Sequence, residues 1–455
     1  MELYDEVKKI VEFRNSCLNI HERKTEAALT TIADKIVDDY NRRLYDFKRL
    51  HKLVLKKDGK RRSVKLYEPF ASEEVLCIYI KRFLDKRVHI KYPNRNEYVH
   101  SLFDILNALK TMNDYTIFRF DFEDYFNSVS SEYVFKKIIV NCSLEREQLE
   151  LLECFVESTG YAYAGLNTSN LICEIIAKQF DERLLIKLKD KGVIFYRRYI
   201  DDGITIFNKY ISKDDCLSII ENCICDIFYD VEVECKYKCK TSLNLTKTHH
   251  ISVRDMLSGV SGISGDEFDF LGYLFVLSVN RTNRVTNTTF KYGITQKKII
   301  KYEKKIERLV KEFKTNHDIV LFRHRIKAFT CRAVYRVARY KSLIWKTKGF
   351  ISNYCELRYR MDHLTDDTKR FLQNAITDGI ANNSLNIPYF MKGNTEESSF
   401  SLYNNLLKNK TLLLVDNIGI SKSKLIQMCK EVGVNTNKEY DSLVREYLIK
   451  VKVGH

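Results

Sequence analysis

An apolar strand that ends in acid limits the possible folds of this chain more than any other feature, because burying an unpaired carboxylate costs several kcal/mol. Two segments have that form. Residues 115–122 read YTIFRFDF, and residues 193–207 read VIFYRRYIDDGITIF. In both, β-branched and aromatic residues favour a strand, and a carboxylate stands where a core residue would be the default. Asp-Asp pairs also occur at 38–39, 214–215 and 366–367, and such a pair is ordinarily solvated surface. The apolar runs on both sides set Asp201 and Asp202 apart. If the 116–122 strand lies beside a hairpin over 194–207, Asp121 and Asp201 converge, and divalent cations offset their charge. Two Mg²⁺ ions a few ångströms apart would activate an attacking 3′-hydroxyl and stabilise a leaving pyrophosphate. Successive strand residues point to opposite faces. Asp201 and Asp202 therefore cannot do identical jobs unless the turn intervenes; Asp201 is assigned as the main ligand and Asp202 as a weaker or outer one, with Gly203 easing the tight turn.

The rest of the composition agrees with a folded protein that meets a polyanion. The 455 residues allow a sizeable core and roughly two to four domains. With 45% apolar and 12% aromatic residues, the chain is expected to fold nearly throughout. Lys and Arg exceed Asp and Glu by 76 to 60, a formal charge of +16, which favours nucleic acid as partner. The start, MELYDEVKKIVEFRN, lacks the basic and apolar regions of a signal peptide. No apolar run approaches the roughly 20 residues of a membrane span. The thirteen cysteines are scattered, with no CxxC pair, as expected of a reducing cytoplasm. Cys235, Cys239, His249 and His250 form the one grouping that suggests zinc, and its spacing is a weak one.

Only three prolines occur, which suits a helix-rich chain. Residues 1–50 read as helices. Residues 52–66, KLVLKKDGKRRSVKL, read as a hairpin around Asp-Gly. Helices follow in SEEVLCIYIKRFLDKRV and EYVHSLFDILNALKTM, and over 166–189, where Asn, Thr and Ser can cap the first turn. FDFLGYLFVLSV (268–279) reads as one strand. From about 290 the pattern is helical to the end. In KKIIKYEKKIERLVKEFK the apolar Ile299, Tyr302, Ile306, Leu309 and Phe313 recur at helical spacing. Lys297, Lys301, Lys304, Lys305, Arg308 and Lys311 lie on the opposite face, and a second basic helix is expected in FRHRIKAFTCRAVYRVARYK.

These segments carry a family resemblance. YIDD in a hairpin resembles the YxDD box of reverse transcriptases, and DFEDYF resembles their first aspartate motif. In the same order, GKRR resembles the fingers segment that grips an incoming triphosphate, with Arg62 as the match. GLNTSNLICEI resembles the motif after the first aspartate, keeping Gly165 and Ser169; LNLTKT resembles the next, with Lys247 at its basic position; FDFLGY resembles the primer grip. YPNRNEYVHSLFDIL, FDFEDYFNSV and CEIIAKQFDERL resemble one branch in particular, the abortive-infection and defence-associated bacterial reverse transcriptases.

The resemblance implies an α+β right-hand polymerase: fingers, a palm with an antiparallel sheet, and a helical thumb, followed by an all-α C-terminal domain. Its expected boundaries are 1–50 for an N-terminal helical segment, 51–285 for fingers and palm, 286–315 for the thumb and 316–455 for the last domain. Asp121, Asp201 and Asp202 would hold two Mg²⁺ ions, with Mn²⁺ as a substitute. Phe126 would sit under the sugar and exclude a 2′-hydroxyl, Arg62 and Lys247 would meet the triphosphate, and Tyr199 would pack near the primer end. Gly165 and Ser169 would belong to the substrate-binding surface. Expected partners are dNTPs, a noncoding RNA and the DNA product, in a cytoplasmic bacterial enzyme of anti-phage defence that self-associates and meets no membrane. One departure stands out. Many reverse transcriptases have Pro-Gln-Gly where this chain has Tyr163-Ala164-Gly165, and the missing glutamine helps seat nucleotide and template. Template-independent synthesis, in some members primed on the enzyme's own tyrosine, therefore stands beside RNA-templated synthesis. A silent RNA-binding scaffold is disfavoured by the presence of all three aspartates, and an RNA polymerase by Phe126 and YIDD.

Overall fold

The computed structural model describes residues 2–18, 22–57, 60–259, 266–282, 285–339, 342–392 and 400–451. The chain forms two compact units, Met1–Asn94 with Asn113–Gly265, and Arg95–Met112 with Asp266–His455. Each mixes helices and sheet, so the fold is α+β. The division falls near 265, not at the expected 285, because residues 267–294 pair among themselves and pack with the helix Arg95–Leu109. No helix among the described residues is long and apolar enough to cross a membrane.

The first unit begins with the helices Glu2–Ser16 and Glu26–Asn41, then the expected hairpin of β1 (His51–Lys57) and β2 (Lys60–Leu66). Its Asp-Gly turn lies outside the described residues. The central sheet has β3 (Thr116–Asp121), β4 (Val193–Tyr199), β5 (Asp202–Phe207) and β6 (His249–Ser252) in the antiparallel order β4-β5-β3-β6. The period of two along β3 separates an aromatic face from a polar one. Phe118, Phe120 and the following Phe122 are buried on one face, where Phe120 and Phe122 pack on Phe180 and Phe122 also on Phe228. Those partners come from the helices Ser169–Leu188 and Lys213–Phe228. Ser169–Leu188 lacks the expected side-chain cap: Thr168 makes no such bond, and the Ser169 hydroxyl instead donates to the Tyr163 carbonyl at 2.5 Å.

In the second unit, FDFLGYLFVLSV is a hairpin rather than one strand. β7 (Glu267–Phe270) and β8 (Tyr273–Thr282) are joined by Leu271 and Gly272 at φ 52° and 84°, the positive pair of a tight hairpin turn. β9 (Val285–Ile294) completes the antiparallel sheet β7-β8-β9, on which Phe103 meets Tyr273, Phe275 and Tyr292. The amphipathic helix follows as Gln296–Asn316, with Ile299, Tyr302, Ile306 and Leu309 buried and Phe313 stacked on Phe322 at 4.4 Å. Lys297, Lys304, Arg308 and Lys311 are exposed; Lys301 and Lys305 are half-buried.

The C-terminal part is not all-α. The expected second basic helix stops at Thr330, and β10 (Arg332–Arg339) and β11 (Ser342–Lys348) follow, with β12 (Thr411–Leu414) parallel to β10 on its other side. The reason is visible in AVYRV: Ala333 and Tyr335 are buried while Val334 and Arg336 are half-exposed, which is a period of two. Likewise the segment 408–433, within the stretch expected to be helical to the end, is β12 followed by the helix Lys422–Glu431. His324 ties these elements together, with Nε2 2.8 Å from Glu431 Oε2 and Nδ1 3.0 Å from the Tyr447 hydroxyl.

Candidate active site

The two acid-ended strands meet. β3 and β5 pair so that Asp121 lies opposite Asp202, and the Phe122 amide donates to the Asp201 carbonyl at 3.0 Å. Directly opposed residues of an antiparallel pair share a face, and Arg119, two residues before Asp121, shares it too. Arg119 is 5% exposed and Asp121 4%. The Arg119 guanidinium donates to Asp202 Oδ1 at 2.7 Å and to the Lys247 carbonyl at 2.9 Å. Lys247 Nζ donates to Asp121 Oδ1 at 2.7 Å. The short helical turn Leu245–Lys247 that carries this lysine is docked by the Asn244 amide, which donates to the Asp121 carbonyl at 2.8 Å. Two cations thus balance two carboxylates that would otherwise be stranded at a sheet end.

The opposition of Tyr199 and Asp202 makes Ile200 and Asp201 a two-residue turn. Ile200 has φ +61°, a conformation that costs a β-branched residue on the order of 1–3 kcal/mol and that persists where surroundings impose it. Gly203 is not in this turn, which corrects the sequence reading. Its glycine is required because a Cβ there would stand 2.2 Å from Phe120 Cζ.

The other expected residues have mixed surroundings. The Arg62 side chain lies outside the described residues. Phe126 is half-buried in the turn Tyr125–Ser128 that follows Asp121, its ring 6.2 Å from that of Tyr125. Tyr199 is half-buried at the end of β4. Gly165 has φ +111°, and a Cβ there would come within 2.6 Å of the Lys65 carbonyl. The Lys65 amide donates to the Ala164 carbonyl at 2.8 Å, and its ammonium stands 3.2 Å from the Tyr163 ring centroid. The Tyr-Ala-Gly segment is therefore the seat of β2, and Gly165 and Ser169 shape that seat. FDFLGY lies in the second unit. The weak zinc grouping does not gather: Cys239 accepts from the Ser130 amide, Cys235 donates to the Tyr237 carbonyl, and His250 Nε2 pairs with the Ile211 carbonyl.

The donor chemistry fits a hard cation. Carboxylate oxygens are what Mg²⁺ takes, usually one or two from protein with substrate phosphates and water completing the octahedron. Among the described residues no group of three or more His, Cys, Asp or Glu side chains could hold a metal ion, so Asp121, Asp201 and Asp202 do not gather into the ligand set expected from the sequence. Asp202 pairs with Arg119 and Asp121 with Lys247, and it is Asp202, not Asp201 as expected, that the strand register sets opposite Asp121.

No family model matches the chain, and no curated protein matches it in sequence. Among solved structures it is similar to apo telomerase from Candida tropicalis truncated from the C-terminal domain, at 14% identity and a TM-score of 0.34, over 54% of this chain and 59% of that one. Apo telomerase from the same organism gives 13% and 0.35, over 55% and 51%. Telomerase from that organism in complex with a TWJ fragment of telomeric RNA gives 12% and 0.34, over 84% and 68%. The chain spans between half and three fifths of the first two. With scores of that size, the assignment of the site rests on its own residues.

Sequence reasoning missed Arg119 and Arg198. Arg119 was within reach: in an otherwise apolar TIFRFD strand, the period of two puts it on the Asp121 face. Arg198 is buried by partners on a helix distant in sequence, and no local signal announces them.

Proposed function

We propose that the chain is a nucleotidyltransferase of the reverse-transcriptase kind, which joins dNTPs to a 3′-hydroxyl. The observation that carries this reading is the opposition of Asp121 and Asp202 across β3 and β5, with the Asp201 backbone bonded beside them. Asp121 and Asp201 would hold Mg²⁺, with Asp202 held by Arg119 as the outer acid; Mn²⁺ would substitute. When bound, the metal lowers the pKa of the attacking hydroxyl and neutralises charge on the leaving pyrophosphate. Lys247 is poised on Asp121 and would move to the triphosphate as metal takes its place, where a cation offsets transition-state charge. Phe126, just past Asp121, would exclude a 2′-hydroxyl. Arg62, on the β2 strand of the fingers hairpin, would grip phosphate, and Tyr199 would pack near the primer end.

In this reading the first unit supplies fingers and palm, and the helix Gln296–Asn316 the thumb. The surplus of +16 suits a noncoding RNA and a DNA product as partners, and we assign the protein to anti-phage defence in a bacterial cytoplasm, acting as a self-associated enzyme. A second reading, template-independent synthesis from the same site, is favoured by one observation: Ala164, in place of glutamine, has its carbonyl committed to β2.

The test is to purify the protein, sequence RNA that comes with it, and sequence DNA made with each dNTP singly and with all four. Product complementary to the bound RNA supports templating; homopolymer made after RNase treatment supports the second reading. Asp201→Asn is expected to abolish synthesis while leaving the circular dichroism spectrum and RNA retention unchanged. Full activity in that variant overturns the assignment.

A further inference from the structure

The YIDD turn is held from below by a side chain that touches neither substrate nor metal in the reading above. Arg198, next to Tyr199 on β4, is 5% exposed, and a guanidinium carries five N–H donors in a fixed fork. Nε donates to Asp181 Oδ1 at 2.8 Å, and Nη2 to Asp181 Oδ2 at 3.0 Å and Glu174 Oε2 at 2.9 Å. Nη1 donates to Glu174 Oε1 at 3.3 Å and to the Ile200 carbonyl at 2.6 Å. Five donors meet five acceptors. Glu174 is itself 5% exposed, and Asp181 also accepts from the Tyr196 hydroxyl at 2.6 Å. Both acids sit on Ser169–Leu188, the helix that carries Phe180 against the aromatic face of the sheet.

The bond to Ile200 separates this network from an ordinary buried ion pair. A pair that served only to fill the core would be matched in stability by apolar residues of the same volume. Here one donor leaves the carboxylates and ends on the one residue of the turn at positive φ, a strained conformation that needs an outside restraint. We propose that Arg198 is a positioning residue: it anchors the Ile200–Asp201 turn to the helix Ser169–Leu188 and thereby fixes where Asp201 and Asp202 present their carboxylates. The kinetic and Mn²⁺-affinity parts of this inference rest on the nucleotidyltransferase reading; the conformation of Ile200 does not.

The test is Arg198→Lys, alone and combined with Ile200→Gly. Lysine keeps the charge but has three donors and no fork, so it cannot serve both acids and the carbonyl. In a crystal structure of the single variant, Ile200 is expected to leave the left-handed region. Mn²⁺ affinity, read by electron paramagnetic resonance, and kcat for dNTP addition are each expected to fall by roughly ten- to a hundredfold, as when an outer partner of a metal ligand is lost. KM for dNTP should change less than kcat. Glycine holds positive φ without strain, so the double variant should recover most of the Mn²⁺ affinity although the guanidinium is still missing. A purely structural Arg198 would not be rescued by a change at residue 200. If Arg198→Lys does not fold, Glu174→Gln with Arg198→Met removes the guanidinium together with the carboxylate it would strand, since the Asp181 side chain is 27% exposed and can hydrate. Retention of the Ile200 conformation and of wild-type Mn²⁺ affinity in either variant overturns the proposal. Absence of DNA synthesis by the wild-type protein would instead sink the nucleotidyltransferase reading, and the crystallographic comparison would still decide the role of Arg198.

Discussion

Replacing Gly203 with alanine puts a methyl group into the tightest contact of the central sheet. The new Cβ would stand 2.2, 2.5 and 2.6 Å from the Cζ, Cε1 and Cε2 atoms of Phe120, well inside van der Waals contact. The ring has nowhere to go. It is fully buried, with the rings of Phe118, Phe122 and Phe180 centred 6.4, 5.8 and 6.4 Å away. Gly203 is not among the glycines at positive φ, so the cost is steric and not a matter of backbone strain. Overpacking a well-filled core costs about 1–3 kcal/mol, and a ring boxed on three sides puts this case near the top, at about 3 kcal/mol. With a slope of about 3 kcal/mol/M, the urea midpoint of the first unit falls by about 1 M. Far-UV circular dichroism measures that shift, and hydrogen exchange of peptides covering β3 and β5 localises it. Phe120→Leu removes the clashing ring atoms. The two changes together should therefore cost less than the sum of each alone, by about 1–2 kcal/mol, as for residues in contact. A Gly203→Ala protein within about 0.5 kcal/mol of wild type, or strict additivity with Phe120→Leu, would refute the packing argument.

Two further outcomes follow from the same structure. Lys247→Met leaves the buried Asp121 without the ammonium 2.7 Å away, and the metal-free protein should lose about 1–3 kcal/mol; because the competing cation is gone, millimolar Mg²⁺ should raise the thermal midpoint more in the variant than in wild type, and equal Mg²⁺ shifts would contradict this. Burial pushes His324 below its ordinary value of 6.5 in spite of Glu431, so the unfolded chain takes up this proton first, and the second unit should be fully stable above about pH 6.5 and weaken as pH falls through the folded value. Glu431, held low by the bond to His324, acts in the same direction at lower pH. His324→Gln should flatten the loss between pH 7 and 5, read by fluorescence of Trp345, the chain's one tryptophan; identical slopes would count against the assignment.

Three strands of the central sheet, β3, β4 and β5, were legible because they lie in short apolar runs that end in acid, and the period of two in β3 already aligns Arg119 with Asp121; the fourth, β6, was not read from the sequence. The helix Ser72–Val88 was legible over its full length. The C-terminal sheet was not, because RAVYRVAR sets arginines among apolar residues and mimics a basic amphipathic helix until its alternation is weighed against the strand β12, far along the chain. The turn itself was misjudged by one step. Glycine is the residue expected at positive φ, so Gly203 drew the assignment, whereas tertiary bonds hold Ile200 there instead. Arg198 illustrates the general obstacle. Its buried partner Glu174 lies in the first half of the helix Ser169–Leu188, which is buried nearly all round and has no polar face to advertise an acid that points inward.

The central proposal is that Asp121 and Asp201 hold a divalent ion at the end of the central sheet. Anomalous diffraction from crystals soaked in MnCl₂ with a dNTP tests it most directly. Manganese should lie about 2.1 Å from carboxylate oxygens of both residues, with Lys247 Nζ displaced from Asp121. Manganese bound at other residues, with Asp121 still paired to Lys247 beside an ordered nucleotide, would contradict the claim.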